Sequence, residues 1–402
     1  MKNHPKLFLL LFVIFLFPNV TSAYEKHEPL IIENMPTTKD NPLIIEGLEI
    51  TNPSGPCLRI HDVANVIVRN NYLHDCGTDI SNERQEEIRQ TGKSSVVLKD
   101  GPFDTGAVFI FDASGSVEVY NNRIENSDYG LLVRGHRFIT PNVKIYDNTI
   151  TGNHRNFHLF VDKADNVSIY NNNVSNNGLD IYFDNQGLIE AFARGEDFPD
   201  GRTQAIRVHN SNNIAIFNNF IDNSHSDGIG VTADGGNLNT MNKEDQLFTE
   251  NILIYNNKVY RSNEQGLWFV RARNVEIRDN LITENRHRPE EMGGSSGILF
   301  EGGCLNVTIS NNEISYNDMY GIAITSSSNI KIEKNQIHHN GDGAILFMDL
   351  VHIKKEISDN IIVSENNIYN NRVAIFGILT DQVGRVIVEN NILGQNGGMP
   401  MH

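Results

Sequence analysis

One short phrase recurs along this chain and limits what it can fold into. Its plainest copy is Asn142-Val143-Lys144-Ile145-Tyr146-Asp147-Asn148-Thr149-Ile150, or Asn-apolar-x-apolar-x-x-Asn-x-apolar. The second Asn returns at Asn71, Asn122, Asn148, Asn172, Asn219, Asn257, Asn280, Asn312, Asn335, Asn367 and Asn391. Most spacings are one unit of about 24 residues, two units, or one unit with an insertion, which is the signature of a stacked repeat. Apolar residues alternate within each unit, as in Val143/Ile145 and Ile252/Ile254, the period of a strand with one buried face. Asn and Gly punctuate the strands, and no unit sustains a helical period. A strand, a turn, a second strand and a loop in this length predict one rung of a parallel β-helix, with rungs about 4.8 Å apart. Stacked inward Asn side chains would hydrogen-bond one another and the turn backbone, so these Asn read as scaffold. A leucine-rich repeat has a similar period, but its Leu-x-x-Leu-x-Leu spacing is missing.

The N-terminus reads as an export signal over residues 1–23. Lys2 and Lys6 supply the positive start, Leu7 to Phe17 a short apolar run, and Thr21-Ser22-Ala23 a small-residue cleavage site. Nothing later is long enough for a membrane helix. The expected product is secreted, periplasmic or extracellular. Removing the two signal lysines leaves 31 basic against 50 acidic residues, a net charge of −19. Such a chain is a poor general binder of nucleic acid. It would also repel a polyanionic sugar unless a local basic patch or bound cations compensate. Three cysteines remain, Cys57, Cys76 and Cys304, an odd count that argues against a disulfide framework. Cys57 and Cys76 lie about one rung apart and leave two readings open, a disulfide or two small buried apolar residues, with the second favoured.

Residues 24–42 read as an extended lead-in and 43–394 as the β-helix, with 395–402 as a tail lacking a capping signal. An open last rung exposes strand edges and would admit an oligomeric partner. Insertions are expected at 78–103, 184–203, 234–249 and 286–296, with short helices near Glu83–Gln90 and Leu188–Ala193. Three of the four cluster between 184 and 296 and would wall a groove, since loops on a rigid scaffold collect function.

A strand usually introduced by Gly follows each Asn phrase. If the first and third residues after the Gly point inward, the second points outward. That register predicts an outward row of Arg59, Leu132, His158, Tyr182, Arg207, Gly230, Trp268, Leu299, Ala323 and Leu346. Its middle is polar. His158 and Arg207 would be two rungs apart, about 10 Å between backbones, within reach of one sugar unit. The far ends of the same strands add Arg134, Asp162, Asp184 and His209. Trp268, the one Trp of the chain, would offer a stacking platform. Removing the proton α to a uronate carboxylate needs a base such as His158 or Tyr182. It also needs a cation, Arg207 or a bound Ca²⁺ held by Asp162 and Asp184. A glycoside hydrolase would instead need two flanking acids, for which Asp180 and Asp227 are candidates. A non-catalytic glycan-binding surface or matrix protein is the third class.

The Asn-Val-x-Ile-x-x-Asn-x-Ile phrase with its Gly-Ile-x-Val strands resembles the pectin-lyase-like right-handed parallel β-helix superfamily. The repeats are similar to those of alginate C-5 epimerases and related polysaccharide lyases. The resemblance implies an all-β, single-domain right-handed solenoid carrying inserted loops and short helices, and an acidic glycan as substrate or ligand. In the epimerases an Asp-Pro-His motif with a nearby Tyr and a basic residue does the chemistry. The counterpart here is His158, within Asn156-Phe157-His158-Leu159-Phe160-Val161-Asp162.

Overall fold

A computed structural model describes residues 24–79, 106–136, 140–152, 157–176, 204–233, 248–286, 294–348, 358–377 and 384–397. Its 37 described strands, β1 to β37 in chain order, form three parallel sheets of 12, 12 and 13 strands. Each sheet takes every third strand. One rung is thus a front, a side and a back strand, as in β5 (Leu58–His61), β6 (Val66–Arg69) and β7 (Tyr72–His74). The sequence predicts two strands per rung. The third, such as Thr149–Thr151, is only three residues long and has no alternation to show. The solenoid also starts before residue 43: Glu25–His27 and Leu30–Glu33 in the lead-in already pair with the next rung.

One continuous column of Val, Ile, Leu and Phe fills the interior. The Asn phrase closes the corner between side and back strands. Asn148 accepts from the Asn122 backbone N (3.0 Å) and donates to Asn172 (3.0 Å), and the pattern repeats up the stack. The ladder passes through Asn366, not Asn367. In that Asn-Asn pair the first residue takes the corner and Asn367 opens the next strand. The residue preceding the corner holds a left-handed backbone, as at Asp147, Asn171 and Asn218, a conformation Asn and Asp tolerate best.

Two further Asn ladders escape a reading of the main phrase. Asn285, Asn317, Asn340, Asn371 and Asn396 bond in series at the corner after the back strand. The phrase's first Asn forms an exposed ladder, for example Asn251 to Asn213 (3.0 Å), again in left-handed backbone. Outside the side sheet, Tyr120, Tyr146, Tyr170, Phe217 and Tyr255 stack at ring spacings of 4.7–4.8 Å. Strand spacing imposes that distance.

Cys57 and Cys76 are joined in a disulfide, against the reading favoured from sequence. One rung brings the two corners together, with Cα atoms 5.6 Å apart, inside the range a bridge needs. Cys304 is a buried thiol, and burial pushes its pKa up to about 12. In the last described rung, core positions Val388 and Leu393 stand 48% and 56% exposed. The signal, both expected short helices, most of each insertion and the end of the tail lie outside the described residues.

Candidate functional site

Of the residues picked from sequence, Arg59, Arg134, Asp162, Arg207, His209 and Trp268 share the outer face of the front sheet. Strand pairing fixes two outward rows. The first runs Arg59, Phe109, Leu132, Phe160, Arg207, Gly230, Trp268, Leu299, Ala323, Leu346. The second includes His61, Phe111, Arg134, Asp162, His209, Thr232, Val270 and Glu301.

His158 is not in the expected place. It faces away from the core, since Leu159 and Val161 face in, but Phe160 holds its position beside Arg207. No Gly opens this strand to fix its start, and the alignment slips by two residues while keeping the correct side. His158 is fully buried and is not a groove residue. Tyr182, Asp184 and Asp180 lie outside the described residues. The strands of His158 and Arg207 pair directly, so they are one rung apart and not two, and no front-sheet strand from Tyr182 lies between them. Much of the first row is not solvated either. Phe109, Tyr129, Leu132 and Phe160 form a second apolar cluster outside the solenoid, with Phe111 packed against it.

Above that cluster the side chains are polar and connected. Arg134 Nε donates to Asp162 Oδ2 at 2.8 Å, and Asp162 is almost fully buried. Arg207 lies over the Phe160 ring, 5.8 Å from its centroid, and its Nε donates to Thr232 Oγ1 at 3.3 Å. His209 Nδ1 is 2.7 Å from the same Oγ1. Arg134, Arg207, His209 and Trp268 are all half-buried. Arg59 and His61 extend the basic character two rungs beyond Arg134 toward the N-terminus, with His61 Nε2 3.0 Å from Asp112. An acidic chain thus carries its local basic patch on this face.

Asp227 is placed differently. It is buried in the corner before its strand, accepting from Gln204 Nε2 at 2.7 Å and from the Gln265 backbone N at 3.1 Å. Ser226 Oγ donates to Glu264 at 2.7 Å and lies 3.4 Å from Asp227. Asp227 therefore braces the corner and does not face the groove. Gln204, which sequence reasoning missed, crosses onto the outer face beside Gly230. The missing Cβ of Gly230 was the available signal. Of the two expected Ca²⁺ ligands, Asp184 lies outside the described residues. Asp162 turns to Arg134, and among the described residues no three His, Cys, Asp or Glu converge as a metal site requires.

The model of the right-handed β-helix region matches residues 37–178, 91–245 and 248–401. The chain belongs to that family. No curated protein matches by sequence. Among solved structures, the β-helix is similar to the periplasmic alginate epimerase AlgG, at TM-score 0.61 and 12% identity, covering 92% of this chain and 78% of that one. It is similar to the A-module of the Azotobacter vinelandii mannuronan C-5 epimerase AlgE6, at 0.52 and 12%, covering 94% and 80%. It is also similar to PfbA, a surface adhesin of Streptococcus pneumoniae, at 0.55 and 14%, covering 87% and 82%. At these identities the likeness is one of fold, and function rests on the site.

Proposed function

We propose that this β-helix takes an acidic polysaccharide along the outer face of its front sheet and removes the proton α to a uronate carboxylate, as a lyase or C-5 epimerase. The observation that carries the reading is the cluster of Arg134 with Arg207 and His209, on the first and third of three successive rungs, in a chain whose overall charge is −17. Arg207 pairs with the carboxylate and stabilises the enolate formed when the proton leaves. His209 replaces His158 as the base. Thr232 Oγ1, already accepting from Arg207, has a second lone pair for His209 Nδ1–H, and that tautomer leaves the Nε2 lone pair to take the proton. Trp268, two rungs beyond Arg207, is the platform for a neighbouring ring. Tyr182 keeps its expected role as the partner acid–base group on the sequence alone. Epimerase and surface-adhesin relatives in fold, together with the Cys57–Cys76 disulfide, support a place outside the cytoplasm. The half-exposed last rung is the surface where a second copy would dock.

Incubation with alginate, pectate and glycosaminoglycans tests the chemistry. The expected result is new unsaturated-uronate absorbance or an altered C-5 configuration by NMR, abolished in His209→Ala and Arg207→Ala. Turnover that survives both substitutions refutes the assignment. A non-catalytic glycan binder is the second reading, favoured because Asp162 already neutralises Arg134. Binding lost in Arg207→Ala, without turnover in the wild type, would select it.

A further inference from the structure

Two buried acceptors on the front sheet are left without hydrogen-bond partners among the described residues. They are Asp162 Oδ1 and Gln204 Oε1. Both residues are at least 97% buried, at 3% and 1% exposure. A buried acceptor without a donor is unfavourable, and native structures seldom keep one without a use.

Their placement indicates the use. The Gln204 carboxamide lies over Gly230, where an added Cβ would meet Oε1 at 2.9 Å and the amide carbon and nitrogen at 3.2 Å. Any larger residue at 230 would expel it. Its orientation is set at the other end, because Nε2 donates to Asp227 Oδ2 at 2.7 Å. Asp227 is itself fixed by the Gln265 backbone N, so flipping the amide would set two acceptors against each other. The buried corner that looked like a second acid site is thus the anchor of a carboxamide on the outer face. Going up the stack, Asp162, Arg207 and the Gln204 carboxamide over Gly230 occupy three successive rungs. The order is acceptor, cation, acceptor.

We infer that Gln204 and Asp162 form a hydroxyl-reading pair that flanks the Arg207 carboxylate site. The ligand this order fits is a sugar acid presenting an anion between two hydroxyl donors. A neutral glycan offers Arg207 no charge, and a phosphate or sulfate ester without ring hydroxyls offers the acceptors no donor. Arg207 and Trp268, the half-buried side chains on either side of Gly230, are the groups that shift to admit the sugar. The inference rests on the uronate reading above, and it assigns recognition to Gln204 and no part in proton transfer.

Calorimetric titration of the full chain with oligomannuronate and oligogalacturonate, each unmodified and O-acetylated on its ring hydroxyls, tests it. Acetylation keeps the carboxylates and removes the donors. Gln204→Leu should weaken binding of an unmodified oligomer about tenfold, the size of one hydrogen bond, and leave the acetylated form unchanged. Gly230→Ala, which displaces the carboxamide while keeping Gln204 and Asp227, should do the same with an unchanged melting profile. Equal losses on both forms, or no loss on the unmodified one, overturn the inference. If Arg207→Ala weakens binding while both other variants match the wild type, only this inference fails. If the wild type binds neither oligomer, the uronate reading fails with it.

Discussion

Asn148→Ala should destabilise this chain, and its cost can be worked from the ladder. The Asn148 side chain accepts from the backbone N and Nδ2 of Asn122, both at 3.0 Å, and donates to Asn172 Oδ1 at 3.0 Å, Val119 O at 2.9 Å and Tyr146 O at 2.9 Å. Not all five losses count. Asn172 Oδ1 still receives the Asn148 backbone N, and Tyr146 O still receives Asn121 N. Asn122 Nδ2 keeps Val68 O and Tyr120 O. Val119 O still takes the Tyr146 N–H in the ladder between their paired strands. One group is left stranded, the Asn122 N–H, and at about 1–3 kcal/mol for a buried unpaired donor the change should cost about 2 kcal/mol. Stacked repeats unfold segment by segment, so urea denaturation should be paired with hydrogen exchange at the Asn122 amide. Asn142→Ala in the exposed ladder, which loses one bond from Asn166, is the control and should stay within about 0.5 kcal/mol. An Asn148→Ala protein within about 1 kcal/mol of wild type, with Asn122 still protected, would refute the view that the corner Asn hold the rungs together.

Other outcomes follow from the same geometry. Cys57→Ser with Cys76→Ser should cost about 3 kcal/mol for a loop of 19 residues and lower the melting temperature to the value seen in reductant. His338 is held below its ordinary value of 6.5 by burial and then by His339, with Glu313 opposing. The fold favours the neutral ring, so its stabilisation is full above pH 6.5 and is lost as pH falls through the depressed value. His338→Gln should flatten that part of a melting-temperature profile. Tyr146 is pushed up to about 12 by burial and then by Glu118. Its contribution holds below pH 10 and fades toward pH 12, and Tyr146→Phe should remove the latest step of the phenolate absorbance titration. Affinity for an acidic glycan should fall with added salt, and less steeply in Arg207→Ala.

What could be read in advance, and what could not, divides along a physical line. A strand's alternation fixes which side chains face out, and it does so one residue at a time. Arg134, Asp162, Arg207, His209 and Trp268 were therefore assignable to the outer face, and strand pairing joins Arg134, Asp162 and His209 in one row. Position along the axis is another matter, because a shift of two residues preserves the alternation. Where a Gly marks the strand start, as at Gly130, Gly228 and Gly266, the row is placed correctly. Without one, Arg59 and Arg207 were still placed correctly, but His158 was set two positions too far along, and Phe160 took its place. The slip from Asn366 to Asn367 is different, a one-residue choice between identical neighbours. Burial from outside the solenoid leaves no mark on the period at all, so Leu132 was assigned to the outward row with no sign that it packs with Phe109, Tyr129 and Phe160.

The Gln204 carboxamide lies beyond both kinds of signal. It starts its strand out of phase, crosses to the next rung, and fills the space a glycine leaves. Only coordinates join residues 23 positions apart in this way. Yet Gly230 was visible as an odd choice in the middle of a strand. A missing side chain on an outward row invites the question of what occupies its space. Applied to this fold, that question finds the binding groups that alternation cannot, because a rigid stack of parallel strands makes room for a ligand chiefly by leaving side chains out.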